Sequence, residues 1–304
     1  TSGSTGSPKF VRQSYRNIRA NTDSIVEYLG LTAQERPITT LPMQYTYGLS
    51  ILNSHLDVGA TILLTNHPIT RREFWDFFRQ EEATSFGGVP YTYEMLDRMR
   101  FTRIDLPSLR TLTQAGGKLQ PDLHRRFATW CQETGRQFIV MYGQCEATAR
   151  MAYLPWPMSL EKCGSMGIAI PGGRFELVDG NGDIITQPHQ TGELRYHGEN
   201  VTLGYAQCLE DLAKGDERGG VLETGDMAQV DEDGYYTIVG RKKRFLKMFG
   251  NRVNLDEVER MLKAAFPQGE VACAGRDDHL TLFSTCAGDL PAMRQWISEK
   301  TGIN

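Results

Sequence analysis

The first ten residues, TSGSTGSPKF, combine two glycines, five hydroxyl side chains and one lysine. Residue types of this kind suit phosphate. Glycine lets successive backbone N–H groups converge on one point. Converging amides form an anion-binding concavity, and Lys9 adds a mobile positive charge. The run is not the common nucleotide P-loop, which needs four residues between its glycines and then Gly-Lys-Ser/Thr; Gly3 and Gly6 have two residues between them. On composition alone a terminal Ser/Gly run reads first as a disordered tail. The phosphate reading therefore depends on what the rest of the chain supplies.

The chain has 304 residues, enough for two domains or one large one. A formal charge of −4 gives no basic surface for nucleic acid, and no apolar run reaches membrane-span length. The six cysteines (131, 145, 163, 208, 273 and 286) form no CxxC pair. That argues against a zinc knuckle or a secreted disulfide scaffold and for a reducing, cytoplasmic setting. Helical and strand patterns alternate, as in an α/β protein. ATILLT (60–65), FIVMY (138–142) and RFELVD (174–179) read as strands. TRREFWDFFRQEE (70–82) reads as a helix with a Thr70–Glu73 capping box and a face of Phe74, Phe77 and Phe78. QPDLHRRFATWCQET (120–134) reads as another, with Leu123, Phe127 and Trp130 inward. Beyond about residue 160, Asn-Gly and Asp-Gly turns between short apolar runs predict a β-rich portion, a distorted barrel or small sheet. GRKKRFLK (240–247) is a basic joint, followed by an amphipathic helix in NLDEVERMLKAAF capped by Asn254. These features place a boundary between a core, 1–241, and a smaller unit, 242–304.

Five segments then matter in order: TSGSTGSPKFV (1–11), MYGQCEAT (141–148), GELRYHGENVTLGY (192–205), ETGDMAQVDEDGYYTIVGRKKR (223–244) and LKMFGNRVNLDEVE (246–259). Together they resemble the adenylate-forming superfamily of acyl- and aryl-CoA synthetases, peptide-synthetase adenylation domains and luciferases. The resemblance implies a large α/β core of mixed sheets with a distorted β-barrel-like portion, then a partial α+β lid. It implies an enzyme that attacks the α-phosphate of ATP with a carboxylate, releases pyrophosphate, and passes the acyl group to coenzyme A or to the phosphopantetheine of an acyl-carrier protein. Such chemistry is mostly positioning plus charge stabilisation.

By the same resemblance Thr1, Ser2, Gly3, Ser4, Thr5, Gly6 and Lys9 hold the β- and γ-phosphates. Tyr142 stacks on adenine, with Gly143 and Cys145 beside the nucleotide; Glu146 binds Mg2+. Asp226 accepts from the ribose hydroxyls, and Arg241 reaches the sugar or phosphate. Gly116 and Gly117 lay backbone against adenine and acyl group, although a plain strand–helix turn explains them equally well. Lys243 is the hinge of the lid. Lys247 and Gly250 face the site in the thioester-forming pose, whereas Lys242 and Arg244 read as a solvated basic turn.

The pattern departs from the family in four places. Cys145 replaces the usual Thr before the Mg2+ ligand. Tyr45 stands where the family often has His, and it lines the acyl site or packs in the core. No Asp occurs from Leu41 through Leu56 to hold a substrate ammonium, and a buried ammonium without a partner is costly. The expected substrate is a carboxylic acid without an α-amine, in a pocket of Tyr45, Tyr47, Tyr91, Gly117 and Gly143. Finally, the chain starts inside the phosphate loop, and no lysine in a Pro/Gly-flanked segment follows Gly302. It is expected to be a fragment that adenylates poorly until extended. A non-catalytic nucleotide-binding relative is the alternative reading.

Overall fold

The computed structural model describes residues 9–248 and 251–301. The chain opens with a short strand, β1 (Phe10–Arg12), and a helix, α1 (Tyr15–Leu29). Ser14 and Asn17 cap that helix reciprocally, and Gly30 ends it in the left-handed region at φ 60°. Helix α2 (Thr46–Asp57) and helix α3 (Arg72–Gln80) follow. The Thr70–Glu73 capping box does not form. A Pro68–Arg71 turn takes up Thr70, and the helix starts after Arg71, which caps it with no side-chain bond. Phe74 and Phe78 point inward as expected, joined by Trp75.

Next come β2 (Ser85–Gly88), α4 (Pro90–Arg98), β3 (Thr111–Gln114), α5 (Pro121–Glu133) and β4 (Gln137–Tyr142). Strands β2, β3 and β4 are parallel, each joined to the next through a helix. Two short antiparallel strands, β5 (Ala152–Tyr153) and β6 (Ile168–Ala169), complete a five-stranded sheet. An aromatic core of Phe74, Trp75, Phe86, Phe101, Phe127 and Phe138 packs against it. The expected strand at 60–65 is reduced to a single bridge between Leu63 and Ile38. Its neighbour begins at Pro37, which has no N–H to donate.

The β-rich portion contains β7 (Arg174–Val178), β8 (Gly192–His197), β9 (Gly204–Ala206), β10 (Val221–Val230) and β11 (Tyr236–Arg241). Four of these form an open antiparallel sheet in the order β11-β10-β8-β7, rather than a closed barrel. Strand β9 pairs instead with β1, Val11 opposite Tyr205. The C-terminal part holds a hairpin, β12 (Phe245–Met248) with β13 (Asn251–Asn254), then helix α6 (Leu255–Ala265), a second hairpin, β14 (Val271–Arg276) with β15 (His279–Ser284), and helix α7 (Leu290–Thr301). Leu246, Leu255, Val258, Leu262, Met293 and Ile297 make its own core. Asn254 caps α6 by accepting from the Asp256 N–H at 3.0 Å.

Candidate active site

Strands β2, β3 and β4 end side by side at Gly88, Gln114 and Tyr142. Ligands of open α/β sheets bind outside such carboxyl ends. The loops that leave them carry five of the expected site residues: Gly116 and Gly117 after β3, and Gly143, Cys145 and Glu146 after β4. Gly116 has φ 82°, and a Cβ there would lie 2.5 Å from the Tyr45 hydroxyl. Gly143 is required by packing, since any side chain would collide with the Ala149 carbonyl. Gly117 has Pro90 against it, and Lys118 Nζ ties the same loop to β11 through the Ile238 carbonyl at 3.0 Å.

Asp226 lies across from these loops in β10, 3% exposed and register-paired with Arg241 of β11. Tyr142 donates its hydroxyl to Asp226 Oδ2 at 2.5 Å. Gln144 Nε2 reaches the same oxygen at 2.9 Å and the Thr224 carbonyl at 3.0 Å. Arg241 Nε holds Asp226 Oδ1 at 2.8 Å while its side chain stays largely in solvent. Burial pushes the Asp226 carboxyl upward, against the pull of Tyr142, Arg241 and Gln144. Burial and the Asp226 charge both push the Tyr142 phenol well up, so it remains the donor.

A second cluster surrounds Glu146, which sits in a 3-10 turn, Cys145–Ala147. Tyr205 donates its hydroxyl to Glu146 Oε1 at 2.7 Å. Lys9 Nζ stands 5.2 Å and the Arg218 guanidinium 4.7 Å from the Tyr205 ring centroid. Arg218 also donates to the Glu146 carbonyl at 3.1 Å, as do the backbone N–H and hydroxyl of Thr202. A single carboxylate here fits a Mg2+ bound chiefly through phosphate oxygens, since that ion is often held by one or two carboxylates plus substrate. Among the described residues no group of three or more His, Cys, Asp or Glu could hold a metal by itself. Arg12 fixes the chain just after Lys9. It is 6% exposed, pairs with Glu217 at 2.7 Å, and donates to the carbonyls of Leu203, Tyr205, Lys214 and Gly215.

The remaining expected residues divide. Thr1 to Gly6 and Gly250 lie outside the described residues, and of Lys247 only the backbone, in β12, is described. Cys145 Sγ meets the Thr46 hydroxyl at 3.4 Å beside the half-buried Tyr45. Tyr47, assigned to the pocket, is enclosed. Its hydroxyl bonds Thr113 Oγ1 at 2.8 Å, because α2 turns it inward onto β3. Tyr91, on the first turn of α4, stands 65% exposed. Lys243 is exposed between two anchored neighbours. Lys242 pairs with Glu193 at 2.5 Å; Arg244 holds Asp256 and Glu259 at 2.7 and 2.6 Å. The solvated-turn reading holds for Lys242, which stays 57% exposed while paired to Glu193 of β8, and is corrected for Arg244, which two carboxylates of α6 hold. Gln144, Thr202, Tyr205 and Arg218 were not singled out by sequence. Tyr205 had a signal in the GY that closes the third motif, whereas nothing marks Arg218, 72 residues from Glu146.

Comparison with known proteins adds the family. Residues 1–206 match the model of the AMP-binding enzyme family. An indoleacetate–CoA ligase of Aromatoleum aromaticum is 32% identical over 286 residues, 91% of this chain and 54% of its own length. A long-chain-fatty-acid–CoA ligase of Escherichia coli O157:H7 is 28% identical over 90% of this chain and 49% of its own. The chain thus spans about half the length of the relatives it matches. Among solved structures, o-succinylbenzoate coenzyme A synthetase of Bacillus subtilis in complex with AMP superposes with a TM-score of 0.79 at 25% identity, over 97% of this chain and 61% of that one. With its motifs, its sheets and the Asp226 and Glu146 clusters in one arrangement, this chain belongs to the AMP-binding, adenylate-forming enzyme family.

Proposed function

We propose that the protein is an ATP-dependent acid–thiol ligase, forming an acyl-adenylate with release of pyrophosphate and passing the acyl group to coenzyme A or a phosphopantetheine thiol. The observation that carries this reading is the Asp226 cluster: a buried carboxylate at a strand edge, fixed by Tyr142 and Gln144 and covered by a displaceable, solvent-reaching Arg241. Ribose hydroxyls supply the donors such a carboxylate accepts, and Arg241 freed from it is a cation for phosphate. Glu146 would hold Mg2+, which when bound neutralises phosphate charge. Lys9 and Arg218 add positive charge on the same side, and Tyr205 keeps the Glu146 carboxylate aimed. Tyr142, at the end of β4, supplies an aromatic ring for a base.

The relatives act on acids as different as indoleacetate, oxalate, ferulate and long-chain fatty acids by name, so they leave the acid open. The absence of Asp between Leu41 and Leu56 supports an acid without an α-amine. Residues 242–304 are read as the beginning of a mobile lid, pivoting at Lys243. Lys242 is bound to the core side and Arg244 to α6, leaving Lys243 as the unanchored link. The test is ATP–pyrophosphate exchange across fatty, aryl, dicarboxylic and amino acids, with AMP binding measured in parallel. Exchange with one acid class and at least tenfold weaker AMP binding in Asp226→Ala are expected. AMP binding that is undetectable, or indifferent to Asp226→Ala, overturns the reading.

A further inference from the structure

A buried guanidinium lies beneath α2 with only neutral partners. Arg150 is 2% exposed. Its Nε donates to Ser50 Oγ at 3.2 Å, a terminal nitrogen donates to the Tyr28 hydroxyl at 2.9 Å, and its charge rests 5.2 Å from the Tyr47 ring centroid. Among the described residues no carboxylate stands within ion-pair distance of it. A buried cation in that state is costly unless an anion completes it.

The guanidinium borders a cavity of about 30 Å3 walled also by Ile51, His55, Ser85, Gly87 and Thr113. That is room for a water or two, or a carboxyl group. His55 Nε2 is buried there without a partner. Its Nδ1–H donates to the Ile51 carbonyl at 2.8 Å, which leaves the lone pair on Nε2. Burial holds the ring neutral, its pKa lowered to about 4 with Arg150 contributing. Glu35, also in the wall, is engaged by Arg110 at 3.1 Å and the Thr84 hydroxyl at 2.9 Å. Tyr47 stands between the wall of this cavity and Tyr45. Its hydroxyl bonds Thr113 in the wall and its ring covers Arg150. On the other side it meets Tyr45 at a centroid distance of 6.3 Å, beside Gly116.

We propose that this cavity receives the distal carboxyl group of a dicarboxylic acid whose other carboxylate lies in the cleft at Tyr45 and Cys145. One oxygen accepts from the Arg150 guanidinium, and the other accepts from His55 Nε2, which takes up one proton from solvent as the acid binds because it otherwise carries only a lone pair. The acid reaches the cavity past Tyr47, which yields by giving up its bond to Thr113. A monocarboxylic acid of equal length leaves the guanidinium unpaired, and an amine at that end meets a like charge. The assignment rests on the acid-activating function proposed above.

Thermal-shift titration of this chain tests it, using straight dicarboxylic acids of four to eight carbons, monocarboxylic acids of matched length, acetate and chloride. One or two dicarboxylates are expected to stabilise the wild type at concentrations at least tenfold below the matched monocarboxylates. Arg150→Met should abolish that preference and Arg150→Lys keep part of it. If Arg150→Met does not fold, the wild-type preference and the Arg150→Lys series decide. Equal response to mono- and dicarboxylates, or a preference that survives Arg150→Met, overturns the proposal; so does acetate or chloride reproducing the whole effect, which would mark a site for a free anion. AMP titrated alone reports separately on the nucleotide site. Its failure would remove the ligase reading while the carboxylate arms still read out the cavity.

Discussion

His124 illustrates how single side chains set the conditions under which this protein is stable. Its ring is buried under α5, with Nε2 3.0 Å from the Ser159 hydroxyl and the Phe138 ring at 5.6 Å. Burial lowers its pKa from 6.5 to about 4, as it does for His55. Both rings are therefore neutral in the folded protein down to about pH 4, while the unfolded chain takes up their protons below pH 6.5. Stability contributed by these sites is complete above pH 6.5 and falls as pH drops towards 4, by roughly 3 kcal/mol each on the scale of 1.36 kcal/mol per pKa unit. Urea midpoints are expected to be flat from pH 8 to 6.5 and to decline below. His124→Gln should lose part of the decline, and a midpoint independent of pH between 6.5 and 4 would contradict the linkage. The same residue-scale logic was only half visible in sequence. Asp226 and Glu146 stood in recognisable segments, but Gln144, Tyr205 and Arg218 reach them through bonds spanning 59 to 82 residues. No local pattern encodes such pairings.

At the scale of elements, Asn254 has two tasks on two structures. Its Oδ1 caps α6, and its Nδ2 donates to the Val239 carbonyl of β11 at 2.7 Å. Asp at this position keeps the cap and loses the donor; Ala loses both. Asn254→Ala is expected to cost about 1 kcal/mol of helix capping, whereas Asn254→Asp should leave α6 intact and loosen it from β11. Trypsin cleavage at Lys242–Arg244 reads that loosening: both variants should be cut faster than the wild type, and a cleavage rate unchanged in Asn254→Asp would dismiss the bond to Val239 as a tether. Helix α6 was the most legible element because cap, stripe and length agree locally. The segment 60–65 was misleading for the opposite reason. Its apolar run is real, and Leu63 is buried, but Leu64 is 62% exposed and the neighbouring chain supplies one bridge. Whether a strand forms depends on its partner, which is remote in sequence. The Thr70 cap likewise lost to a turn that sequence spacing does not show.

Across the whole molecule the apolar side chains divide into separate clusters, and the last of them begins at Leu246. Its tryptophan is Trp296, whereas Trp75 and Trp130 belong to the large aromatic core. Urea unfolding followed by tryptophan fluorescence is expected to resolve two transitions, the C-terminal unit first, since small units bury proportionately less surface. Arg244→Ala, which removes its bonds to Asp256, Glu259 and the Cys273 carbonyl, should lower only the first. A single transition shifted as one would show that the two parts unfold together. Fold class and the order of β-rich and helical regions were readable from composition, turns and periodicity. Of the two forms expected for the β-rich portion, the open sheet is the one that formed, because strand order and closure depend on which edges meet.

The Arg12 clamp also has a meaning in time. Its partners, from Leu203 to Glu217, are up to 205 residues further along the chain, so none of them exists when Arg12 leaves the ribosome. At about 5–20 residues per second, the strand beside Lys9 waits roughly 10–40 s for its dock to be synthesised. During that interval the parallel strands β2, β3 and β4, whose contacts are far more local, have already been made. The strand beside Lys9 is therefore made long before the segments that hold it, and is among the last parts to be assembled.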